Sequence, residues 1–361
     1  MQEVIAALLK KRLADVTIQR LMDGAVIFKT ECSYDSLNFF CFNNIFALID
    51  VLEFQDSGEY KTEILKAHIR KILSLKKKSW PLISKNSGKI KSFRLMFSVE
   101  NVPAAINEKL KQEMEKFIQN ESSLQLSRSK ADTEFWFLFR QEDSQVQCLS
   151  CFMKRLTNHR VTEKSLHKGE LSPQLAWLLC HIANLKHTEI VMDPFCGYGS
   201  IPKAACKHFP VKMFYASDIN PQCVNISQTK SGIKKDVCNF QAADFRSILD
   251  FILPGTLDAI ITDPPWGMYS INGKTAGKTA GKTAGKTAGS SAGSLQTLYD
   301  EMIDVFSKAL KDNGRAVILS AAQKELETAL ERVKSFQVDK AIPILISGKK
   351  ATVFVIVRKT G

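Results

Sequence analysis

Much is excluded by what this sequence does not contain. No apolar run in its 361 residues approaches the roughly 20 that a helix needs to cross a bilayer. The opening MQEVIAALLKKRLAD has neither a basic leading region nor a small-residue cleavage site, so it reads as an amphipathic helix rather than a secretory signal. The nine cysteines are odd in number and scattered, which excludes a disulfide framework and suits a reducing compartment. The one C-x-x-C, Cys148-Leu-Ser-Cys151, has no second pair at zinc spacing and falls in an apolar, strand-like run, so no metal is expected there. The expectation is a soluble, cytoplasmic protein with no membrane partner. Acid is also in short supply: 37 Asp and Glu face 50 Lys and Arg, and the formal charge of +13 favours polyanionic partners.

The composition that remains is globular, 45% hydrophobic and 24% charged. In the front of the chain, residues 3–13 have helical spacing, Gly24-Ala-Val-Ile-Phe-Lys reads as a strand, and 36–52 reads as a second helix. A basic run follows over 61–91 and contains Leu75-Lys-Lys-Lys-Ser-Trp80. It is either a phosphate-contacting surface with Trp80 as a stacking ring or a solvated helix end with a core tryptophan, and for this run alone the second is preferred. A strand is predicted over 91–100, a helix over 104–119 with Ile106, Leu110, Met114 and Phe117 on one face, and strands over 133–140 and 146–153. Phe135, Trp136 and Phe137 suit a strand's core better than a base-stacking face. This is a small α+β arrangement.

From about residue 166 strands alternate with helices, the pattern of a parallel α/β sheet. Ser172-Pro173 opens a helix as N-cap and first helical residue. Strands are predicted over 189–192, 212–216, 237–241, 257–262 and 315–320, with an antiparallel pair over 338–345 and 351–358. Helices are predicted from residue 200 and over 221–231, 245–249, 295–310 and 323–333. Between them, four Gly-Lys-Thr-Ala units fill most of 273–294. Glycine there recurs every fourth residue, out of register with the G-x-x-x-x-G-K loop that cradles a nucleotide, so the segment reads as a flexible basic insertion.

Chemistry concentrates at the strand ends. Asp193-Pro194-Phe195-Cys196-Gly197-Tyr198-Gly199-Ser200 is a strand end, a tight turn and a helix N-terminus. Its glycines let backbone approach a ligand, and the helix end offers free N–H groups to negative charge. Asp218, followed by Ile219, ends the next strand where an acid binds ribose hydroxyls. Asp244, after Ala243, ends the third, where a side chain can accept from an adenine amino group. Taken singly, each is as readily a turn or cap residue. A dinucleotide site would continue with a third glycine, but Pro202 stands there. S-adenosylmethionine (SAM) fits better, with Asp193 facing its ammonium. The fourth strand ends in Asp263-Pro264-Pro265-Trp266: a carboxylate, a turn locked by two prolines and a large ring. That group can hold a flat, amino-bearing ring against an acceptor. With no cysteine in it, attack through a covalent thioether is disfavoured.

Together DPFCGYGS, Asp218, Ala243-Asp244 and DPPW resemble a class I SAM-dependent amino-methyltransferase. Leu166-His167-Lys168 and Leu171-Ser172-Pro173-Gln174-Leu175-Ala176 are similar to the stretch before the SAM turn in THUMP-containing RNA guanine-N2 methyltransferases. This resemblance implies a ferredoxin-like module over 1–90, a THUMP-like RNA-binding module over 91–163 and a methyltransferase domain over 164–361 with a seven-stranded, mostly parallel sheet. It implies SAM held by Ser172, Asp193 to Gly197, Gly199, Ser200, Asp218, Ile219, Ala243 and Asp244. Asp263, Pro264, Pro265 and Trp266 would carry the chemistry. The implied partner is RNA, tRNA foremost, with a small activator subunit as a candidate. Two features depart from the family: Met268-Tyr269-Ser270 stand where relatives carry an arginine, and the Leu-His-Lys stretch is shortened. Adenine-N6 methylation, glutamine-N5 methylation and a catalytically silent RNA-binding relative are the rival readings. In the best-known adenine enzymes of the DPPW type that tetrapeptide precedes the SAM turn, whereas here it follows.

Overall fold

The computed structural model describes residues 1–22, 24–32, 41–42, 44–55, 61–75, 80–84, 90–100, 102–141, 147–157, 166–167, 169–234, 236–267, 295–346 and 349–360. The lysines of the basic run at 76–78, Lys168, Met268-Tyr269-Ser270 and the repeat over 273–294 lie outside the described residues. The chain forms two compact units, one mainly Leu8–Val161 and the other mainly Thr162–Gly361.

The front of the chain runs α1 (Gln2–Arg12), β1 (Thr17–Met22), β2 (Ala25–Lys29), β3 (Phe46–Gln55), α2 (Lys61–Ser74), α3 (Pro81–Ser84) and β4 (Ser92–Val99). It continues with β5 (Val102–Pro103), α4 (Glu108–Ser122), β6 (Gln125–Leu126), β7 (Thr133–Gln141) and β8 (Gln147–Arg155). One sheet takes the order β3-β8-β7-β4-β5. Strand alternation divides it into two faces. Phe135, Phe137 and Phe139 pack with Leu65, Ile69 and Ile72 of α2 and Leu110, Met114 and Ile118 of α4. Trp136 and Leu138 face the other way, with Met22, Ala25 and Ile27 of the β1–β2 hairpin.

Two expectations for this region change, and the preferred reading of Trp80 holds. Residues 46–55 are strand, not the end of a helix, because β3 pairs with β8 along its length. A bulge between Leu48 and Asp50 breaks the period-two pattern that would have betrayed a strand. The boundary expected at residue 90 does not separate sheets: β3, before it, shares one sheet with β4, β7 and β8, and α2 packs in the same core. Trp80 is a core residue at 3% exposure, edge-on to Phe117, and no stacking platform. Cys148 and Cys151 are buried in the cores on opposite faces of the sheet, so this C-x-x-C does not converge on one ligand.

The second unit contains α5 (Pro173–Ala183), β9 (Ile190–Asp193), α6 (Ser200–His208), β10 (Met213–Asp218), α7 (Pro221–Ser231) and β11 (Cys238–Ala242). After a 3-10 turn over Phe245–Asp250 come β12 (Leu257–Thr262), α8 (Leu295–Ala309), β13 (Leu310–Ser320), α9 (Gln323–Val333), β14 (Phe336–Ile346) and β15 (Lys349–Arg358). Seven strands take the order β11-β10-β9-β12-β13-β15-β14. The first five are parallel, while β15 is antiparallel to both β13 and β14. Val191, Met192, Ala259, Ile260 and Ile261 are all fully buried, as central parallel strands covered on both faces must be. The chain starts mid-sheet at β9, moves outward through β10 and β11, then crosses back to β12 on the other flank of β9. Strand order therefore reverses between β9 and β12, and such a reversal opens a ligand crevice at the strands' carboxyl ends.

Candidate active site

The ends of β9 and β12 meet at that crevice. Asp193 is 1% exposed; its Oδ1 accepts the Phe195 N–H at 3.1 Å and the Thr262 hydroxyl at 2.8 Å. Its Oδ2 is buried with no hydrogen-bond partner among the described residues. Burial pushes the Asp193 pKa up to about 8; Thr262 and the Phe195 N–H offset part of the rise, and the charges of Asp218 and Asp263 add to it. Asp263 repeats the pattern one strand over. Its Oδ1 is buried without a partner, although the residue as a whole keeps some exposure. Burial raises its pKa to about 7, with the Trp266 side chain offsetting part of the rise. Each strand end therefore presents a carboxylate oxygen with no partner among the described residues, in a place where leaving it unbound costs free energy.

The turn after β9 is built on two left-handed glycines, Gly197 at φ +49° and Gly199 at φ +85°. A Cβ at Gly199 would sit 1.9 Å from Ser227 Oγ, so the turn packs against α7 only because that position has no side chain. Asp218 accepts the Gly197 N–H through Oδ2 and the Asn220 N–H through Oδ1, both at 2.9 Å, which fastens the turn to β10. Cys196 donates its N–H to the Ser217 carbonyl, and burial pushes its thiol up, so it is no nucleophile. Phe195 packs against Phe245, and Pro194 is buried. Ser172 caps α5 by accepting from Leu175, and Ser200 Oγ donates to the Leu171 carbonyl at 2.9 Å, so the approach to α5 is tied to the start of α6. His167 stacks on Tyr198 at 4.2 Å between ring centroids. Asp244 caps the 3-10 turn through Arg246 N–H, and both its oxygens engage the Arg246 guanidinium. Ile219 is 71% exposed beside Asp218, and the Ala243 N–H donates to the Asp218 carbonyl.

In the Asp263-Pro264-Pro265-Trp266 turn, Pro264 is buried and Pro265 exposed. The Trp266 Nε1–H donates to the Leu319 carbonyl at 3.3 Å. Thr262, Tyr299 and Ser320 belong to the same neighbourhood and were not singled out from the sequence. A threonine ending a strand and a tyrosine in an apolar helix stripe carry no distinctive signal until strand register and packing bring them together.

A doubly wound sheet with a glycine turn after its first strand and an acid-Pro-Pro-aromatic turn after its fourth defines a class I methyltransferase fold. Residues 160–280 match the RMKL-like methyltransferase domain. Over 187 residues the chain is 25% identical to a tRNA (guanine(10)-N2)-dimethyltransferase of Methanocaldococcus jannaschii, covering 50% of this chain and 46% of that protein. It is 28% identical to a U6 snRNA (guanine-N(2))-methyltransferase of Bos taurus over 27% of this chain and 19% of that one. The chain thus spans at most about half the length of these curated relatives. The crystal structure of TrmN from Thermus thermophilus has the same fold over 99% of this chain and 96% of its own, with a TM-score of 0.67 at 18% identity.

Proposed function

We propose that this protein transfers a methyl group from SAM to an exocyclic base amino group in RNA, guanine N2 in tRNA foremost. The observation that carries this reading is the pair of buried carboxylate oxygens without a partner among the described residues, Asp193 Oδ2 and Asp263 Oδ1, at adjacent strand ends beside the glycine turn. One suits a cationic cosubstrate and the other an N–H donor, and the chain similarity to RNA guanine-N2 enzymes supports the same pairing.

The residues present fit SAM. Asp193 would hold its ammonium, the glycine turn and the open N-terminus of α6 would face its carboxylate, and Asp218 with Ile219 and Ala243-Asp244 would flank ribose and adenine. When bound, SAM supplies an electrophilic methyl on sulfonium sulfur, whose C–S electron pair stays with the sulfur. The chain must supply orientation and acceptors. An exocyclic amine is a poor nucleophile because its lone pair is delocalised into the ring. Asp263 and the Pro264 carbonyl accept its N–H bonds, favour a tetrahedral nitrogen and aim its lone pair. Asp263 then takes the surplus proton and passes it to water. The Trp266 ring stacks on the base, which must be unpaired to reach it. Fixed dipoles and positioning supply most of the acceleration. We further infer that the front unit grips RNA, its exposed Arg70, Lys109 and Lys116 serving phosphate contact.

The test is to incubate the purified full chain with methyl-labelled SAM and cellular RNA, then digest to nucleosides. Label in N2-methylguanosine is the expected result. Label confined to N6-methyladenosine overturns the guanine assignment. No label together with no calorimetric SAM binding overturns the enzyme and favours a silent RNA-binding relative.

A further inference from the structure

One buried hydroxyl beside this site has no part in the chemistry described above. Tyr299, on the second turn of α8, is fully buried. Its Oη lies 2.6 Å from Ser320 Oγ and 3.3 Å from the Pro265 carbonyl oxygen. Ser320 Oγ also accepts the Ala322 N–H at 2.9 Å. Hydroxyl hydrogens are assigned by the network around them, and here one assignment satisfies every member. Serine donates to tyrosine, and tyrosine donates to Pro265. The reverse would leave the Pro265 carbonyl facing a lone pair.

The turn needs such an outside tether. Pro264 and Pro265 have no N–H, so the backbone of these two residues can be held only through their carbonyls. Gly267, at φ +75°, closes the turn with the most permissive backbone available. Against that freedom stand two bonds to the end of one strand. Trp266 Nε1 is held by the Leu319 carbonyl at 3.3 Å, and Pro265 is held through Tyr299 to Ser320. We propose that Tyr299 is a positioning residue for methyl transfer: through the Pro265 carbonyl it holds the Asp263–Trp266 turn in one orientation, so that acceptor and stacking ring stay aligned. This rests on the function proposed above.

The experiment compares full-length Y299F, S320A and I303V. Ile303 is a fully buried residue of the same helix and lies outside the hydrogen-bond chain, so it controls for lost packing. Y299F is expected to lower kcat by about 10–100-fold while leaving the KM for RNA and the Kd for SAM within about threefold. S320A should act in the same direction by less, and I303V should leave kcat unchanged. A second readout needs no activity and so separates this proposal from the choice of substrate. The chain has four tryptophans, and 5-fluorotryptophan labelling gives each a 19F resonance, with that of Trp266 assigned by W266F. Y299F should shift or broaden the Trp266 resonance and spare those of Trp80, Trp136 and Trp177. An unmoved Trp266 resonance, a kcat within about twofold of wild type, or an equal loss in I303V overturns the proposal. Should Y299F not fold, S320A carries both readouts.

Discussion

Four aspartates stand at the carboxyl ends of four neighbouring parallel strands, and they fall into an inner and an outer pair. Asp193 and Asp263, after β9 and β12, each keep one buried oxygen without a hydrogen-bond partner among the described residues. Asp218 and Asp244, after β10 and β11, have both oxygens engaged, the first by Gly197 and Asn220 N–H groups, the second by Arg246. The difference is one of division of labour. The outer carboxylates hold the crevice in shape and are stabilised by local donors. The inner ones lack such donors among the described residues, and a ligand that brings positive charge or N–H donors would stabilise them. Substitution at the inner pair should therefore damage binding and chemistry more than folding, and substitution at the outer pair the reverse.

The sharpest test of that contrast is Asp263→Asn. It replaces one acceptor oxygen by a donor, and kcat should fall by about 100–1,000-fold, the usual cost of losing one fixed electrostatic contact in a transition state. The Kd for SAM should stay close to wild type, and single-turnover transfer with labelled SAM reads both. On the proposed function Asp263 must be ionised to accept the amine's N–H. With its pKa raised by burial to about 7, kcat/KM should climb tenfold per unit below that pH and level off above it. A profile flat from pH 5.5 to 8 would remove Asp263 from the acceptor role.

Asp193→Asn comes next, with an expected loss of SAM affinity of about 10–100-fold, the worth of a hydrogen bond to a charged group. Its effect on stability should run the other way. A carboxyl whose folded pKa is raised, here from 3.8 to about 8, binds its proton more tightly in the folded than the unfolded chain. Its contribution is most favourable below the unfolded value and is lost as pH rises through the folded one. The Tm of Asp193→Asn relative to wild type should therefore rise between pH 4 and 8. A difference that stays constant over that window would mean Asp193 is ionised and satisfied in the apo protein.

The sequence names all four aspartates and cannot rank them, because spacing after a strand is the same whether a carboxylate meets N–H groups or nothing. The ranking needs the register that sets Thr262 against Asp193 and the burial that strands Oδ2. Much of the α/β unit is readable in advance. Caps such as Ser172-Pro173 and Asn220-Pro221 mark helix starts, and fully apolar runs such as Ala259–Ile261 mark central strands. The front unit is harder. The bulge in β3 disguises its alternation, and the sharing of one sheet by residues on both sides of position 90 is a long-range fact that local pattern does not contain. Tyr299 shows the same limit at the site: its spacing in α8 is that of any core residue, and only the 3.3 Å approach to Pro265 distinguishes it.

Smaller effects probe the outer, shape-holding side. Gly199→Ala adds a Cβ 1.9 Å from Ser227 Oγ at a φ of +85°, and the left-handed conformation alone should cost about 1–3 kcal/mol in urea unfolding. Adding Ser227→Gly should recover the part due to the clash and none of the part due to φ. Asp244→Ala removes the cap of the 3-10 turn at Phe245–Asp250 and should cost about 1 kcal/mol of stability. Its Kd for SAM should weaken by no more than about tenfold, because both carboxylate oxygens are already engaged by the Arg246 guanidinium. A larger loss of affinity would move Asp244 from the outer class to the inner one.

The smallest expected effect concerns the repeat, which lies between Gly267 and Leu295 in the sequence. A Cβ at Gly267 would lie 2.7 Å from Leu295 Cδ2, so the chain leaves this site and rejoins it at neighbouring points. The cost of closing a loop between fixed ends grows only logarithmically, by about 0.6 kcal/mol per doubling of length. Replacing 273–294 with a Gly-Ser-Gly-Ser linker should then stabilise the protein by no more than about 1 kcal/mol and leave kcat unchanged. The Asp263–Trp266 turn is held by Leu319, Tyr299 and Ser320, none of which lies in the replaced segment. The salt dependence of RNA binding provides the independent check, because lysines of the repeat that met phosphates would steepen the slope by about one unit each. A slope that flattens on replacement, or a kcat that falls, would join the repeat to the working side of the crevice.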